Sequence, residues 1–371
     1  MYLKSIFLSN FRNYNTLSLD LDKHINIIYG NNAQGKTNLL ESIYVLAFTK
    51  SHRSFIDNNL IKNGCDNCKI RGVVVKDSIN SNLEIEFDLN KKKLKIDQDL
   101  IRTVSDYITL MNIIIFYPDD LELIKGSPIE RRKFLNFEIS QINKDYLKIL
   151  SDYNKLLKMR NDYLKKYSMS YNFDKNYFDT LTEHLIDKAS YIYYYRYKFV
   201  EKLNNYVDNI FKDIMNLNDF HLIYKSPITF DKRENIKIQM KERLNHLYDV
   251  ELKLSTTMFG PHKDDLEFYL GDKNLKNYGS QGQQRVAVLA IKLAEIEIIK
   301  KNTGYNPILL LDDVFSELDD SKKNNLLQYI KKGIQTIITT TDLNNIDESI
   351  KKQAKLIEIS NGNIVQIKEV E

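Results

Sequence analysis

Gly30-Asn31-Asn32-Ala33-Gln34-Gly35-Lys36-Thr37 fits the pattern G-x-x-x-x-G-K-[ST] at every fixed position. Ahead of it, Ile25-Asn26-Ile27-Ile28-Tyr29 reads as a short buried strand, and behind it Asn38 to Leu46 reads as a helix. A phosphate loop needs that strand–loop–helix context. The two glycines let the backbone turn and come close to an anion. The N–H groups of about residues 32 to 37 then converge at the positive end of the helix dipole. Lys36 is expected to reach the β- and γ-phosphates of a nucleotide, and the Thr37 hydroxyl to ligate Mg²⁺. Gly30, Asn31, Asn32, Ala33, Gln34, Gly35 and Asn38 complete the expected cradle. A glycine-bearing turn that merely caps a helix would not require Gly, Lys and Thr together.

Working outward, the next decisive stretch is Ile308-Leu309-Leu310-Leu311-Asp312-Asp313, four apolar residues ending in two carboxylates. In a phosphate-loop protein this is the Walker B strand. Asp312 is expected to hold Mg²⁺ through water, opposite Thr37, and Asp313 to act on the attacking water as general base. Lys36, Asp312 and Asp313 are thus the catalytic candidates. Gly333 to Thr339 reads as another buried strand, followed by Thr340-Thr341-Asp342.

The rest of the chain sets bounds. Its 371 residues can bury a large core and favour two domains. Apolar content of 43% and charged content of 28% fit a soluble globular protein, and the net charge of +4 permits nucleic acid without arguing for it. No apolar run approaches the ~18 residues of a membrane span. The N-terminal stretch lacks a signal-peptide core, so the expected location is the cytoplasm. Cys65-Asp66-Asn67-Cys68 has the spacing of half a zinc site, but no second pair exists; it reads as a turn between strands.

Leu3–Leu8 and Leu17–Leu21 predict a hairpin. The stretches 69–75, 82–88 and 94–97 alternate apolar and polar residues, which predicts an antiparallel meander. Residues 112–117 predict a buried strand ended by Pro118. The middle of the chain changes character. Leu135, Ile139, Ile142, Tyr146, Ile149, Tyr153, Leu156, Tyr163 and Tyr167 follow a 4-3 heptad seam, with Arg160 in one slot. A second apolar run continues from Leu181 to Ile214, which predicts a helical hairpin of about 60 Å. A third helix is expected at about Glu234–Tyr248. The tyrosines around Tyr193 would face all round a helix, so most read as packing. From Ser255 strands and helices alternate again. The expected fold is α/β, a phosphate-loop head with a mixed sheet and an antiparallel meander, residues 1–117 plus 255–371. A helical arm, 118–254, is inserted in it.

Phosphate loop, Tyr278-Gly279-Ser280-Gln281-Gly282-Gln283, Walker B and Ser316-Glu317-Leu318-Asp319, in that order, resemble the parts of an ABC-type ATPase head. The resemblance is greatest to the RecF family of bacterial recombination mediators, which have an SMC-like head. It rests on Leu8 to Tyr14, Ser51-His52-Arg53, Pro118 to Leu121, Lys125-Gly126-Ser127-Pro128, Arg131 to Leu135, Gly260 to Asp265 and Tyr278 to Arg285. Lys263 stands where Arg is expected; it keeps the charge and loses the bidentate fork. Asp313 stands where most such heads carry Glu, so it must sit closer or work through a second water.

The resemblance implies an ATP-dependent homodimer that clamps DNA. Ser280, Gln281, Gly282 and Asp319 of one subunit would complete the nucleotide site of the other. Duplex DNA and junctions of single- and double-stranded DNA would be bound, with RecO and RecR as partners helping RecA to load, and slow hydrolysis would reopen the clamp. Lys50, Arg53, Lys125, Arg131 and Arg132 are the candidate DNA contacts, because they cluster in loops or at helix starts. Two other classes fit a phosphate loop: the ATPase subunit of a membrane transporter, and a small-molecule kinase. The first predicts a full L-S-G-G-Q signature, which this chain carries only in the variant Gly279-Ser280-Gln281-Gly282-Gln283, and the second a substrate lid in place of the heptad hairpin.

Overall fold

The computed structural model describes every residue except 55, 90, 168–171, 231, 318–322, 324–325, 327–332 and 370–371. The chain forms two compact units, Met1–Asp120 with Lys292–Glu371, and Leu121–Ile291.

The first unit contains two six-stranded sheets. Their strands are β1 Tyr2–Phe11, β2 Tyr14–Asp20, β3 Ile25–Tyr29, β4 Asn67–Lys76, β5 Ile79–Asp88, β6 Lys92–Ile96, β7 Asp99–Ile101 and β8 Ile113–Phe116. From the second unit come β9 Phe220–Lys225, β10 Asp265–Leu270 and β11 Lys273–Asn274; the chain then returns with β12 Ile308–Asp312, β13 Thr336–Thr340, β14 Ala354–Ser360 and β15 Asn363–Lys368. One sheet has the order β15-β14-β3-β13-β12-β8. Its strands run parallel except β15. The near-continuous Ile and Leu of β3, β8 and β12 follow from burial on both faces. The other sheet, order β2-β1-β4-β5-β6-β7, is antiparallel and alternates buried apolar with outward polar residues.

The helix Lys36–Phe48 packs against both sheets. All of its residues but Thr37 and Asn38 are buried, as an all-round apolar helix requires. It approaches β4 so closely that a Cβ on Gly72 would lie 2.4 Å from Leu46 Cδ2. Burying Leu39, Leu40, Ile43, Val45 and Leu46 each contributes about 1.5–3 kcal/mol before chain entropy is subtracted. That burial fixes the loop from which the helix springs.

The second unit is built on helices Pro128–Ile142, Lys144–Tyr167 and Lys175–Met215, with Arg233–His246 returning the chain. The heptad seam does not run through one helix. Asn143 leaves helical geometry, and its Oδ1 accepts from the N–H groups of Asp145 and Tyr146. Lys175–Met215 has 41 residues, about 60 Å at 1.5 Å per residue, and is N-capped by Asp174. Arg160, in its apolar slot, is 1% exposed. Its guanidinium donates to Glu251 at 2.6 Å, Thr257 at 2.7 Å and Thr182 at 2.9 Å.

Two expectations need correction. Residues 255–291 belong with the helices and not with the phosphate loop, because β10 pairs with β9, a strand the heptad pattern concealed. Arg196 fastens the same segment by donating to Pro261 O at 2.6 Å. Cys68 lies within β4 and not in a turn; burial pushes its thiol up to about 12.

Candidate nucleotide site and signature helix

Gly30 and Gly35 have φ of 146° and 114°, and Ala33 has 62°. A Cβ on Gly30 would lie 2.3 Å from Ile359 O, and one on Gly35 would lie 2.7 Å from Asn13 Nδ2. Both positions therefore demand glycine. The helix starts at Lys36, so its first-turn N–H groups have no carbonyl one turn back and face the space the loop encloses.

Lys36 Nζ donates to Gly30 O and Asn31 O, each at 2.7 Å. Burial lowers its pKa, opposed by the charges of Asp313 and Asp312. Thr37 Oγ1 donates to Asp312 Oδ1 at 3.0 Å. Thr339 Oγ1 donates to the same oxygen at 2.6 Å and accepts from Asp313 N at 3.1 Å. Asp313 has φ 53°, which turns it out of the line of β12. Of the three threonines at 339–341, Thr339 is thus the one that bridges both Walker B aspartates.

These residues fit a Mg-nucleotide. An ammonium and a helix N-terminus suit the phosphates, and a hydroxyl and a carboxylate oxygen 3.0 Å apart can converge on one hard cation. Among the described residues no group of three His, Cys, Asp or Glu could hold a metal by itself. The phosphates and water would have to supply the remaining oxygens. Gln34 departs from the expected cradle: its side-chain Oε1 accepts from Asn361 N at 2.6 Å, outside the loop. Asn38 Nδ2 likewise donates to Asn13 Oδ1.

In the second unit, Ser280 and Gln283 form a reciprocal capping box that opens the helix Gln281–Thr303. Gln283 N donates to Ser280 Oγ at 3.2 Å, and Ser280 N to Gln283 Oε1 at 2.9 Å. Ser280 and Gln281 are exposed, Gly282 half-buried, and Tyr278 is 74% exposed. Asp319 lies outside the described residues.

The basic candidates divide. Lys50 and Lys125 are exposed. Arg53 donates to Asn38 Oδ1 at 3.0 Å and pairs with Glu41 at 3.5 Å. Glu41, buried on the phosphate-loop helix, also accepts the fork of Arg12 at 2.7 and 2.9 Å, and a bond from Ser51. Burial opposes its ionisation, yet Arg12 and Ser51 hold its pKa below the ordinary value. Arg131 is turned inward and Arg132 is half-buried. Arg131 is 4% exposed and forks onto Asp265 at 2.6 and 2.9 Å; Arg132 donates to Asp264 O at 2.6 Å. The Arg131 guanidinium, so committed, is not free for a phosphate backbone, whereas Arg132 has one nitrogen engaged.

A basic surface the motifs did not reveal lies on the outer face of the antiparallel sheet. Across β4, β5 and β6 the register is Arg71–Glu84–Lys95 in one row and Lys69–Glu86–Lys93 in the next. Lys95 reaches Glu84 at 3.1 Å and Lys69 reaches Glu86 at 3.8 Å. Burial alone would raise the Glu84 pKa, but hydrogen bonds from Arg71 and Lys95 bring it below the ordinary value. Four cations thus overlie two carboxylates. Only the alternation of the strands could have pointed to it.

A family model described as "RecF/RecN/SMC N terminal domain" matches residues 2–364. The DNA replication and repair protein RecF of Exiguobacterium sp. is 42% identical over 98% of this chain and 99% of that protein. That of Bacillus thuringiensis is 40% identical over 98% of each. The solved structure of the recombination mediator protein RecF with ATP in the RecFOR pathway superposes with a TM-score of 0.92. It is 33% identical, covering 99% of this chain and 98% of that one. The Smc head domain of Pyrococcus furiosus, at 17% identity and a TM-score of 0.54, shares the fold. With glycines, Walker pair and capped signature in place along a chain matched over its whole length, this protein belongs to the RecF family of ABC-type, SMC-like ATPase heads.

Proposed function

We propose that the chain is an ATP-dependent DNA-binding clamp of recombinational gap repair and replication restart. It would act with RecO and RecR to help RecA load at junctions of single- and double-stranded DNA. What supports this reading is that one chain carries two different half-sites. Lys36, Thr37, Asp312 and Thr339 form one, able to hold Mg-ATP. The other is a serine-capped helix start left exposed. Closing two copies face to face would place Ser280 and Gln281 of each on the γ-phosphate held by the other, where a helix N-terminus favours an anion. Asp313 would then orient the attacking water, through a second water because its side chain is one methylene shorter than Glu. Hydrolysis would be slow and would reopen the dimer. Lys50, Arg53 and Lys125 remain the proposed DNA contacts from the loops, and the cation rows of the antiparallel sheet supply a larger phosphate-facing surface. Among the described residues no helix is long and apolar enough to cross a membrane. The capped signature also favours the clamp over a kinase with a lid.

The test is mass in solution with and without Mg-ATP, repeated with gapped DNA. The wild type should dimerise on ATP, Asp313→Asn should hold the dimer closed, and Ser280→Arg should stay monomeric while still binding ATP. Dimerisation by Ser280→Arg at the wild-type ATP concentration would refute the trans arrangement.

A further inference from the structure

The phosphate loop is gripped from outside by two hairpin turns. From the β1–β2 hairpin, the hydroxyl of Tyr14, the first residue of β2, donates to Gly35 O at 2.9 Å, and Asn13 Nδ2 donates to Gln34 O at 3.4 Å. From the β14–β15 turn, Gly362 N donates to Gln34 O at 3.0 Å. The two turns also meet: a Cβ on Gly362 would lie 3.2 Å from Asn13 O. Arg12, one residue before Asn13 in the first turn, forks onto Glu41 of the helix that follows the loop.

Peptide planarity gives these contacts a consequence at the ligand. In a trans peptide the C=O and the N–H of one unit point in opposite directions. The carbonyl of Gly35 shares its plane with the N–H of Lys36, and the carbonyl of Gln34 with the N–H of Gly35. Drawing both carbonyls outward aims both N–H groups inward, at the place of the phosphates. Gly35 O already accepts the first helical bond, from Leu39 N at 2.9 Å. Tyr14 takes up its second lone pair and fixes the plane. Tyr14 itself is fully buried, and burial raises its pKa, so the hydroxyl remains a donor at neutral pH.

We infer that Tyr14 is a positioning residue for the nucleotide, setting the Gly35–Lys36 peptide plane so that its N–H meets the phosphate chain. This deepens the nucleotide reading and rests on it. It differs from a packing role, which the ring alone would fulfil. Tyr14→Phe keeps the ring and removes the bond. Tyr107→Phe is the matched control, since Tyr107 is equally buried in the same unit and its hydroxyl has no partner among the described residues.

The experiment measures binding of Mg-ATP, Mg-ADP and adenosine to the full chain by calorimetry, with thermal melting alongside. One lost hydrogen bond should weaken Mg-ATP and Mg-ADP about three- to tenfold in Tyr14→Phe. Adenosine should bind as to the wild type, kcat at saturating ATP should change less than twofold, and Tyr107→Phe should bind all three normally. Unchanged Mg-ATP affinity in Tyr14→Phe would overturn the inference. So would an equal loss for adenosine, which would mean the whole site had shifted. A wild type that bound no Mg-ATP would instead sink the nucleotide reading beneath it.

Discussion

Arg71 and Arg160 carry the same guanidinium and live under opposite conditions. Arg71 lies on the antiparallel sheet, about half exposed, stretched over Glu84 with Lys95 on the other side. Arg160 lies among the helices of the second unit, 1% exposed, every direction of its fork taken by Glu251, Thr257 or Thr182. The first can trade its carboxylate for a phosphate at little cost, because exposed pairs are worth only about 0–1 kcal/mol. The second cannot leave, since its removal would strand a buried carboxylate. Cationic residues in this chain therefore serve two ends, and position along the sequence does not tell them apart.

The sharpest way to break that contrast is Arg160→Ala. Losing one partner of a fully buried pair should cost about 3–5 kcal/mol, read as a lower denaturant midpoint. DNA affinity of the folded fraction should be unchanged. A variant as stable as the wild type but defective in DNA binding would place Arg160 with the surface cations.

Much of this division is legible in the order of residues, and the part that is not has a physical cause. The phosphate loop and β12 are legible because their chemistry is local: glycines, a lysine and a threonine at fixed offsets, and four apolar residues ending at Asp312. The strand β9 is not. Phe220, Leu222 and Tyr224 alternate for only six residues between two long helices, too briefly to stand out. Its partner β10 therefore reads as part of the head, and the expected boundary falls at 255 when the second unit extends to Ile291. The break at Asn143 is invisible because the 4-3 spacing continues across it. Arg131 looks like a surface cation because the carboxylate that claims it, Asp265, lies 134 residues away. Capping of Ser280 by Gln283 is readable as S-x-x-Q, although the signature resemblance draws the eye first. Contacts set by tertiary neighbours, such as Tyr14 on Gly35, leave no mark in a pattern of spacing.

A smaller effect sharpens the exposed side of the contrast. Lys93→Ala with Lys95→Ala should weaken duplex DNA binding about tenfold. It should also flatten the dependence of log K on log salt by about 2, one for each phosphate no longer neutralised. Glu84→Gln should do the reverse and tighten binding, because Arg71 and Lys95 lose a competitor. Fluorescence anisotropy across a salt series reads both. Equal salt slopes in all three proteins would show that nucleic acid does not touch this face.

The smallest effect separates two histidines, one in each unit. His52 packs between the rings of Tyr44 and Tyr117 at 4.8 and 5.3 Å, and neither ring nitrogen has a hydrogen-bond partner among the described residues. His262 shares a 2.6 Å bond with the Tyr153 hydroxyl and lies 3.2 Å from Thr257 O through Nε2. Burial lowers both to about 4 from the ordinary 6.5. Between those values the unfolded chain binds the proton and the folded chain does not. Each histidine therefore leaves stability intact above pH 6.5 and withdraws it as pH falls toward 4, by at most about 1.4 kcal/mol per pH unit. His52→Phe removes that liability and breaks no hydrogen bond, so it should lose less stability than the wild type between pH 7 and pH 5. His262→Phe removes the same liability but strands the Tyr153 hydroxyl and the Thr257 carbonyl, so it should be weaker than the wild type at pH 7 and gain on it only in acid. Urea denaturation of the three proteins at pH 7, 6 and 5 decides. If His52→Phe tracks the wild type at every pH, His52 takes up its proton in the fold as readily as in the unfolded chain, and the apolar, unpartnered setting of its ring is not what governs it.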